Sequence, residues 1–396
     1  MEKNFNRMAL NNGRSPLSRM LQGRNGTLAI FLVGCTIFFG YQAIIGWTKK
    51  PTFKHVDMIP RKIWQSWKVD SLSFEGRDAE RARAWTTKNP LWRYEVLTDG
   101  NAISYVEHHF GPNGFDRPDI ISTYKALDGN RIIQADLLRY IIMYAEGGVW
   151  ADIDAEAILS IDYFIPSRFA EKDVNIIVGI ETDEPQFKDH PILGSKAQSF
   201  VQWTFLCKPG HPAMMRLINN ILNWLNRLAV KQNRGIYDLV LDFDEVLSGT
   251  GPSAFTEAII AEISAITGKK IGWDTFHDMS ESTLVGGILV LPSEAFAAGT
   301  GHSKSGVHSS SRALVKHHFH ASDWTSKHPR HKHPIYGEVE RCNWNVECVE
   351  LWDANTAFFD SLPEKEQMEM IGIKYADVHL SEAGRGLNVP QMPFKA

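Results

Sequence analysis

The sequence predicts an α/β fold carried behind an N-terminal membrane segment, and three observations predict it. Apolar runs of strand length alternate with amphipathic stretches of helix length from about residue 59 to residue 319, the order expected of helices packed on a sheet. A Gly147-Gly148 pair separates the clearest helix from a short apolar run, and Asp152-Ile153-Asp154 follows that run directly. Thr27 to Trp47 carries no charged residue.

At ~1.5 Å per residue, that uncharged run is long enough to cross a bilayer core of ~30 Å. A polar head of residues 1–26 precedes it and Thr48-Lys49-Lys50 follows it. A cleaved signal peptide has a shorter head, a shorter apolar run and a small-residue cleavage site. The expectation is a retained anchor, with residues 1–26 as tail, 27–47 as span and 48–57 as a basic stem. Basic residues flank both ends, so the positive-inside rule leaves the orientation open. The formal net charge of −4 offers no general attraction to nucleic acid. Cys342 and Cys348 either close a small disulfide loop or stay as two thiols, while Cys207 reads as a buried small hydrophobe.

Along the chain, Ile59 to Trp67 reads as a strand introduced by Pro60, and Gly76 to Lys88 as a helix stopped by Asn89-Pro90. Trp92 to Leu97 alternates apolar and polar residues as a second strand, and Thr98-Asp99-Gly100-Asn101 is a turn and helix start. From Asn130 to Glu146, Ile133, Leu137, Tyr140, Ile141 and Tyr144 fall on one helix face, and Gly147-Gly148 ends it. Strand-like runs follow at Asn175–Ile180, Val201–Leu206, Ile288–Leu291 and Ala313–Phe319, with helices at Pro212–Val230 and Pro252–Ile266. Beyond Ile335 the chain is polar, with a weak helical signal near Ala354 to Gly372.

Two carboxylates at i and i+2 converge on one cation where a strand ends and bends. Hard oxygen donors suit Mg²⁺ or Mn²⁺, which keep positions for water and phosphate oxygens. Asp242-Phe243-Asp244 repeats the pattern but reads as a surface pair. Asp136 and Arg139 share a helix face and reach one point together. Taken alone, they would be a surface ion pair worth ~0.3–0.5 kcal/mol.

Residues 130–156, with Ala135-Asp136-Leu137-Leu138-Arg139-Tyr140 and Gly148-Val149-Trp150-Ala151-Asp152-Ile153-Asp154, resemble the signature of DXD-containing sugar transferases of the fungal initiation-specific α-1,6-mannosyltransferase type. Ile59 to Lys68 resembles that family's opening strand, Thr250-Gly251-Pro252 its helix start, and Gln202-Trp203-Thr204 with Pro209-Gly210-His211-Pro212 a further segment. The resemblance runs from about Ile59 to Trp324. It implies a GT-A fold, a Rossmann-like sheet with helices on both faces and the donor at strand ends. It also implies a type II anchor in the Golgi membrane with the catalytic part in the lumen; the expected division is a catalytic domain over 58–330 and a C-terminal extension over 331–396 packed on it. The implied donor is GDP-mannose, the ion Mn²⁺ (or Mg²⁺) and the acceptor an N-linked glycan, while action alone and action within a mannosyltransferase complex both stay open. Related bacterial glucosylating toxins share D-x-x-R before D-x-D. By that similarity Asp136 and Arg139 bind the donor hexose and Trp64 lines the nucleotide base.

On this reading Asp152 and Asp154 are the catalytic pair. Asp154 binds the metal directly, and Asp152 contacts ribose or a metal-bound water. Trp150 stands where the family commonly has Tyr, which keeps a stacking ring and loses a hydroxyl. The late H-x-F-x-G-S-W pattern appears as His317 to Trp324 with one residue inserted, so His317 is matched to a metal or diphosphate ligand, with His318 its rival. His302, His308, His320, His328, His331 and His333 read as solvated loop residues. Gly299 to Gly306 is either a loop that closes over the donor or plain surface. No carboxylate reads as a nucleophile, which favours front-face transfer with retention. An aspartyl phosphatase would need Thr or Val where Glu156 stands. Transfer to inositol phosphoceramide and a non-catalytic glycan-binding subunit are the other readings.

Overall fold

The computed structural model describes residue 53, residues 56–320 and residues 330–382. The expected tail, membrane span and most of the stem lie outside these residues, as do Ala321 to Trp324 and His328. Among the described residues no helix is long and apolar enough to cross a membrane.

The chain opens with β1 (Lys62–Trp67), α1 (Gly76–Lys88), β2 (Arg93–Thr98), α2 (Ala102–Phe110), α3 (Pro118–Ala126), α4 (Arg131–Ala145), β3 (Gly148–Ala151) and β4 (Ala155–Ala157). It continues through β5 (Ile176–Asp183), β6 (Gln198–Phe200), β7 (Thr204–Cys207), α5 (Pro212–Gln232), α6 (Phe243–Gly249) and α7 (Pro252–Thr267). The last elements are β8 (Thr283–Val285), β9 (Ile288–Leu291), α8 (Ser293–Ala297), β10 (Val315–His317), α9 (Val346–Ser361) and α10 (Glu364–Glu382). The first strand starts later than the apolar run because Pro60 has no N–H for a ladder. The single weak C-terminal helical signal is two helices, separated where Pro363 cannot continue α9.

The main sheet has the order β2-β1-β3-β7-β5-β9-β8, with β6 paired to β5. β2, β1 and β3 are parallel, as are β5 and β9, whereas β7 and β8 run antiparallel to their neighbours. The fold is therefore mixed α/β rather than a uniformly parallel sheet, a distinction that hydrophobic period cannot carry. Successive residues feed opposite faces. Trp64, Trp150, Ile176 and Val178 join the core beneath α2 to α7. Ile63, Val149, Ala151 and Ile177 join the core shared with Trp85 of α1 and Phe296 of α8. Each such large apolar side chain removed from water contributes about 1.5–3 kcal/mol.

Two glycines decide how α4 enters the sheet. Gly147 and Gly148 have φ of +64° and +108°. A Cβ on Gly148 would stand 2.6 Å from the Lys62 carbonyl oxygen, and one on Gly147 would stand 2.5 Å from that of Cys207. The bare backbone thus lets β3 slot between β1 and β7 immediately after the helix.

The second D-x-D is structural. Asp242 caps α6 in a reciprocal capping box with Glu245. Asp244 meets Lys196 Nζ at 2.7 Å, and the same ammonium meets Glu340 at 2.7 Å. Lys196 thereby joins the segment before α9 to the rest of the chain. Phe187, Leu193, Val339 and Val349 pack beside it, and Cys342 and Cys348 form a disulfide.

Replacing Gly148 with Ala is expected to cost at least about 2 kcal/mol in chemical denaturation, since both the φ and the Lys62 carbonyl oppose a side chain. A loss below about 0.5 kcal/mol, within the range of a neutral surface change, would mean that this turn relaxes freely and positions nothing.

Candidate active site

The site is built where β3 gives way to β4. Asp152 has left the strand, and its backbone is fixed from three directions: its N–H donates to the Trp203 carbonyl at 2.8 Å, while its carbonyl accepts from Gln65 Nε2 at 2.9 Å and from the Ala155 N–H at 2.9 Å. The chain then reverses into β4, which pairs antiparallel with β10 so that Ala155 lies opposite His317. That register delivers a histidine from a distant part of the chain to the carboxylates. One ligand atom each from Asp152, Asp154 and His317 lie within 4.8 Å of one another.

Each carboxylate has its own supports. Asp152 Oδ1 accepts from Arg139 Nη2 at 2.8 Å and from Trp150 Nε1 at 2.7 Å. Asp154 is buried, with His317 Nε2 3.1 Å from its Oδ1 and the His320 N–H donating to its Oδ2 at 2.9 Å. His317 is stacked on Trp203 with ring centroids 4.4 Å apart, and its Nδ1 is buried without a hydrogen-bond partner.

Behind Asp152 lies a buried polar chain. Arg139 Nη1 stands 3.0 Å from Asp136 Oδ1, so the guanidinium lies between two carboxylates. Asp136 Oδ2 accepts from Thr250 Oγ1 at 2.8 Å, and Gln202 Nε2 approaches Oδ1 at 3.5 Å. The Tyr140 hydroxyl contacts the Gln202 amide oxygen and donates to the Thr250 carbonyl at 2.8 Å. Burial pushes the Asp136 carboxyl up to about 6 against the opposing pull of Arg139 and Thr250. Burial also raises Asp152, opposed by Arg139 and reinforced by the like charge of Asp154. Asp152, its carboxyl raised by burial and by the like charge of Asp154, together with Asp154 and the His317 imidazole fits a divalent cation, which relieves the repulsion and uses oxygen and nitrogen donors.

The predicted residues divide into those the fold brings together and those it does not. Asp136, Arg139, Asp152, Asp154 and His317 form one connected set. His318 goes elsewhere, with Nε2 2.9 Å from Glu156 and Nδ1 3.1 Å from Arg81. Trp150 does not offer a stacking face to a ligand: it is 1% exposed, with Arg139 over its ring and its N–H on Asp152. Trp64 departs furthest from expectation. It is 4% exposed and its N–H bonds the Gly147 carbonyl, at the end of β3 away from Asp152. A base needs an accessible ring. Trp67, where β1 ends, is only half-buried and its Nε1 has no hydrogen-bond partner.

The solvated reading of the late histidines fails at several positions. His320 Nε2 meets buried Asp78 at 3.1 Å, His333 is buried, and His302 is half-buried against Ser303. The Gly299–Gly306 loop is anchored, since Ser303 donates to Glu184 through both N–H and Oγ. Sequence reading also passed over Glu181, the first charged residue after the β5 apolar run. Burial raises its carboxyl to about 7, with His317 the main opposing influence. Its position at the end of an apolar strand was the available signal.

Residues 76–170 match the glycosyltransferase sugar-binding region containing DXD motif. The initiation-specific alpha-1,6-mannosyltransferase of Schizosaccharomyces pombe is 30% identical over 270 residues, covering 68% of this chain and 64% of that protein. The putative glycosyltransferase HOC1 of Saccharomyces cerevisiae is 29% identical over 250 residues, 62% of this chain and 60% of that one. The initiation-specific alpha-1,6-mannosyltransferase of Candida albicans is 29% identical over 284 residues, 66% of this chain and 71% of that one. The chain thus spans less than two thirds of the length of the first two. Among solved structures, the PaToxG glycosyltransferase aligns with a TM-score of 0.36 at 16% identity, over 61% of this chain and 83% of that one.

The raised Asp136 carboxyl has a measurable consequence. Its folded value of about 6 lies above the unfolded ~3.9, so the folded state binds more protons between those values. Its contribution to stability is greatest below ~3.9 and falls as pH rises through about 6. Denaturation of the wild type and Asp136→Asn at pH 4 and pH 7 should show the wild type losing ground to the variant as pH rises. A difference independent of pH would mean that Asp136 does not carry this buried charge.

Proposed function

We propose that this chain, a relative of the initiation-specific α-1,6-mannosyltransferases carrying a DXD glycosyltransferase region, is a metal-dependent retaining enzyme that moves mannose from GDP-mannose to an N-linked glycan. The observation that carries the reading is the single connected set of Asp136, Arg139, Asp152, Asp154 and His317. We further propose a GT-A arrangement of the mixed sheet, with the donor at the strand ends beside Asp152.

In the proposed mechanism Asp154, Asp152 and His317 hold the cation. Two carboxylates suit Mn²⁺ and Mg²⁺ alike, and an imidazole among the ligands tilts the choice toward Mn²⁺. When bound, the ion neutralises the diphosphate and the charge that grows on it as the sugar leaves. Arg139 and Asp136 present a donor and an acceptor fixed by burial, suited to hold the hexose hydroxyls in one orientation. Trp67 is the better placed ring for the base. The acceptor hydroxyl attacks the anomeric carbon on the face the diphosphate departs from, and its proton passes to the departing phosphate oxygen. An α-linked donor then gives an α-linked product.

The proposed setting is the Golgi membrane, with residues 27–47 as a type II anchor and the catalytic part in the lumen. The uncharged run supports the anchor, and a Cys342–Cys348 disulfide suits an oxidising compartment. Residues 58–330 form the proposed catalytic domain and 331–396 an extension of it. A mannosyltransferase complex is a proposed partner.

The test is sugar transfer by the purified full-length protein with Mn²⁺ and a panel of nucleotide sugars, offered a mannose-rich N-glycan core and inositol phosphoceramide. Transfer from GDP-mannose to the glycan, lost with EDTA, is the expected result. Asp154→Ala should lower turnover at least ~10³-fold and weaken calorimetric Mn²⁺ binding while unfolding cooperatively, because the ion supplies several kcal/mol of charge stabilisation. An active, folded Asp154→Ala protein would sink the assignment. Transfer only to the lipid would move the acceptor, and binding without turnover would leave a glycan-binding subunit.

A further inference from the structure

Helix α1 turns one face to the β4–β10 ribbon. Asp78, Arg81 and Trp85 stand at i, i+3 and i+7 along it, which places them in one row. Trp85 Nε1 donates to the Ala155 carbonyl at 2.8 Å, Arg81 Nη2 stands 3.1 Å from His318 Nδ1, and His320 Nε2 stands 3.1 Å from Asp78 Oδ1. Asp78 is the member of this row that α1 itself does not account for. It has zero exposure, and its Oδ2 is buried with no hydrogen-bond partner among the described residues. Arg77 Nε is 3.6 Å from its Oδ1, on a half-exposed side chain. A first-turn carboxylate gains ~0.3–1 kcal/mol from the helix dipole, whereas a buried oxygen left unpaired costs ~1–3 kcal/mol.

The residue that Asp78 holds also touches the cation set. His320 donates its backbone N–H to Asp154 Oδ2 at 2.9 Å, while Asp154 Oδ1 faces His317 Nε2 at 3.1 Å. The His318 N–H donates to the Asp154 carbonyl at 3.0 Å, so the chain turns about Asp154 between these bonds. Phe319 makes that turn in the left-handed region, with φ of +51°, and sets its ring edge-on to His317 with centroids 4.1 Å apart. For a residue with a Cβ that conformation costs ~1–2 kcal/mol, and it persists only where the surroundings impose it. Phe319 is 61% exposed, so its own side chain has little packing to hold the turn. The His320 side chain, 17% exposed and set against Asp78, is the anchor on the far side.

We propose that Asp78 is a positioning residue for the cation site: it holds the His320 imidazole and thereby keeps the His320 N–H on Asp154. The inference rests on the reading of Asp152, Asp154 and His317 as that site. Asp78 acts through His320 and makes no bond in the reaction. With the His320 N–H on Oδ2 and His317 at Oδ1, the rotation of the Asp154 carboxylate is fixed from one turn of chain. Without the Asp78 anchor, Phe319 relaxes toward its preferred backbone, the N–H leaves, and the carboxylate is free to turn. Groups that orient metal ligands from behind typically matter ~10–100-fold in metal affinity.

Mn²⁺ affinity by calorimetry and thermal unfolding in EDTA would be measured on the full-length wild type, Asp78→Leu, Asp78→Asn, His320→Ala and the double variant Asp78→Leu/His320→Ala. Leu fills the space of the carboxylate without an acceptor, whereas Asn keeps one oxygen for His320 Nε2. Asp78→Leu and His320→Ala should each weaken Mn²⁺ binding about 10-fold while unfolding stays cooperative. The double variant should bind no more weakly than the singles, because the two residues act in series. Asp78→Asn should recover most of the affinity. Affinity within about twofold of wild type in either folded single variant, short of what an orienting group supplies, overturns the proposal. A double variant whose loss is the product of the single losses overturns it too, since the two effects would then be independent. Should Asp78→Leu fail to fold, the contrast between His320→Ala and Asp78→Asn decides: a loss in the first that is absent from the second supports the proposal, and no contrast overturns it. If the wild type binds Mn²⁺ and Asp78→Leu binds it equally well, this proposal alone falls. If the wild type binds no Mn²⁺, the cation site falls and takes the role of Asp78 with it.

Discussion

The site depends on one buried guanidinium. Arg139 lies between Asp136 and Asp152, and removing it would leave two carboxylates facing each other with Asp136 buried. Breaking such a pair costs ~3–5 kcal/mol, far beyond the surface ion pair that the i, i+3 spacing suggests by itself. The difference arises because α4 is buried on nearly every side, with Ile133, Leu137, Tyr140 and Ile141 at zero exposure. Once Arg139 is fixed, Asp152 has a fixed partner, Trp150 closes its other side, and the pair Thr250 and Gln202 locks Asp136.

Asp154 is positioned by different means. Its neighbours come from the β4–β10 ribbon, which lies apart from the main sheet. The cluster therefore has one member held by side chains on α4 and another held by a backbone ladder. Burial, reinforced by the like charge of Asp154, raises the Asp152 carboxyl, and that repulsion is what a divalent cation would relieve.

Much of this was legible because it is local. Asp136 and Arg139 meet through helical period, Asp152 and Asp154 through a two-residue spacing, and the glycine pair marks the turn between them. The helix from Gly76 to Lys88 ends where Asn89-Pro90 stops it. What was not legible is set by register across the chain. The choice between His317 and His318 follows from which one lies opposite Ala155, and adjacent strand residues point to opposite faces. Trp64 was misplaced for the same reason, since its side of β1 faces the helices and the core. Glu181 emerges only because a bulge breaks the alternation that a strand pattern assumes. The direction of β7 and β8 likewise leaves no trace in their apolar composition.

The ribbon between β4 and β10 also bears on how the protein is made. His317 Nε2 and Asp154 Oδ1 meet across 163 positions of sequence. A nascent chain exposes its acidic pair long before the segment that supplies the imidazole and the His320 N–H leaves the ribosome. During that interval α4 and the first strands can already pack, because domains begin to fold from the N-terminal side during synthesis. The cation site is complete only when β10 has been translated and paired. Assembly order thus keeps an unfinished chain from closing this set of ligands around an ion.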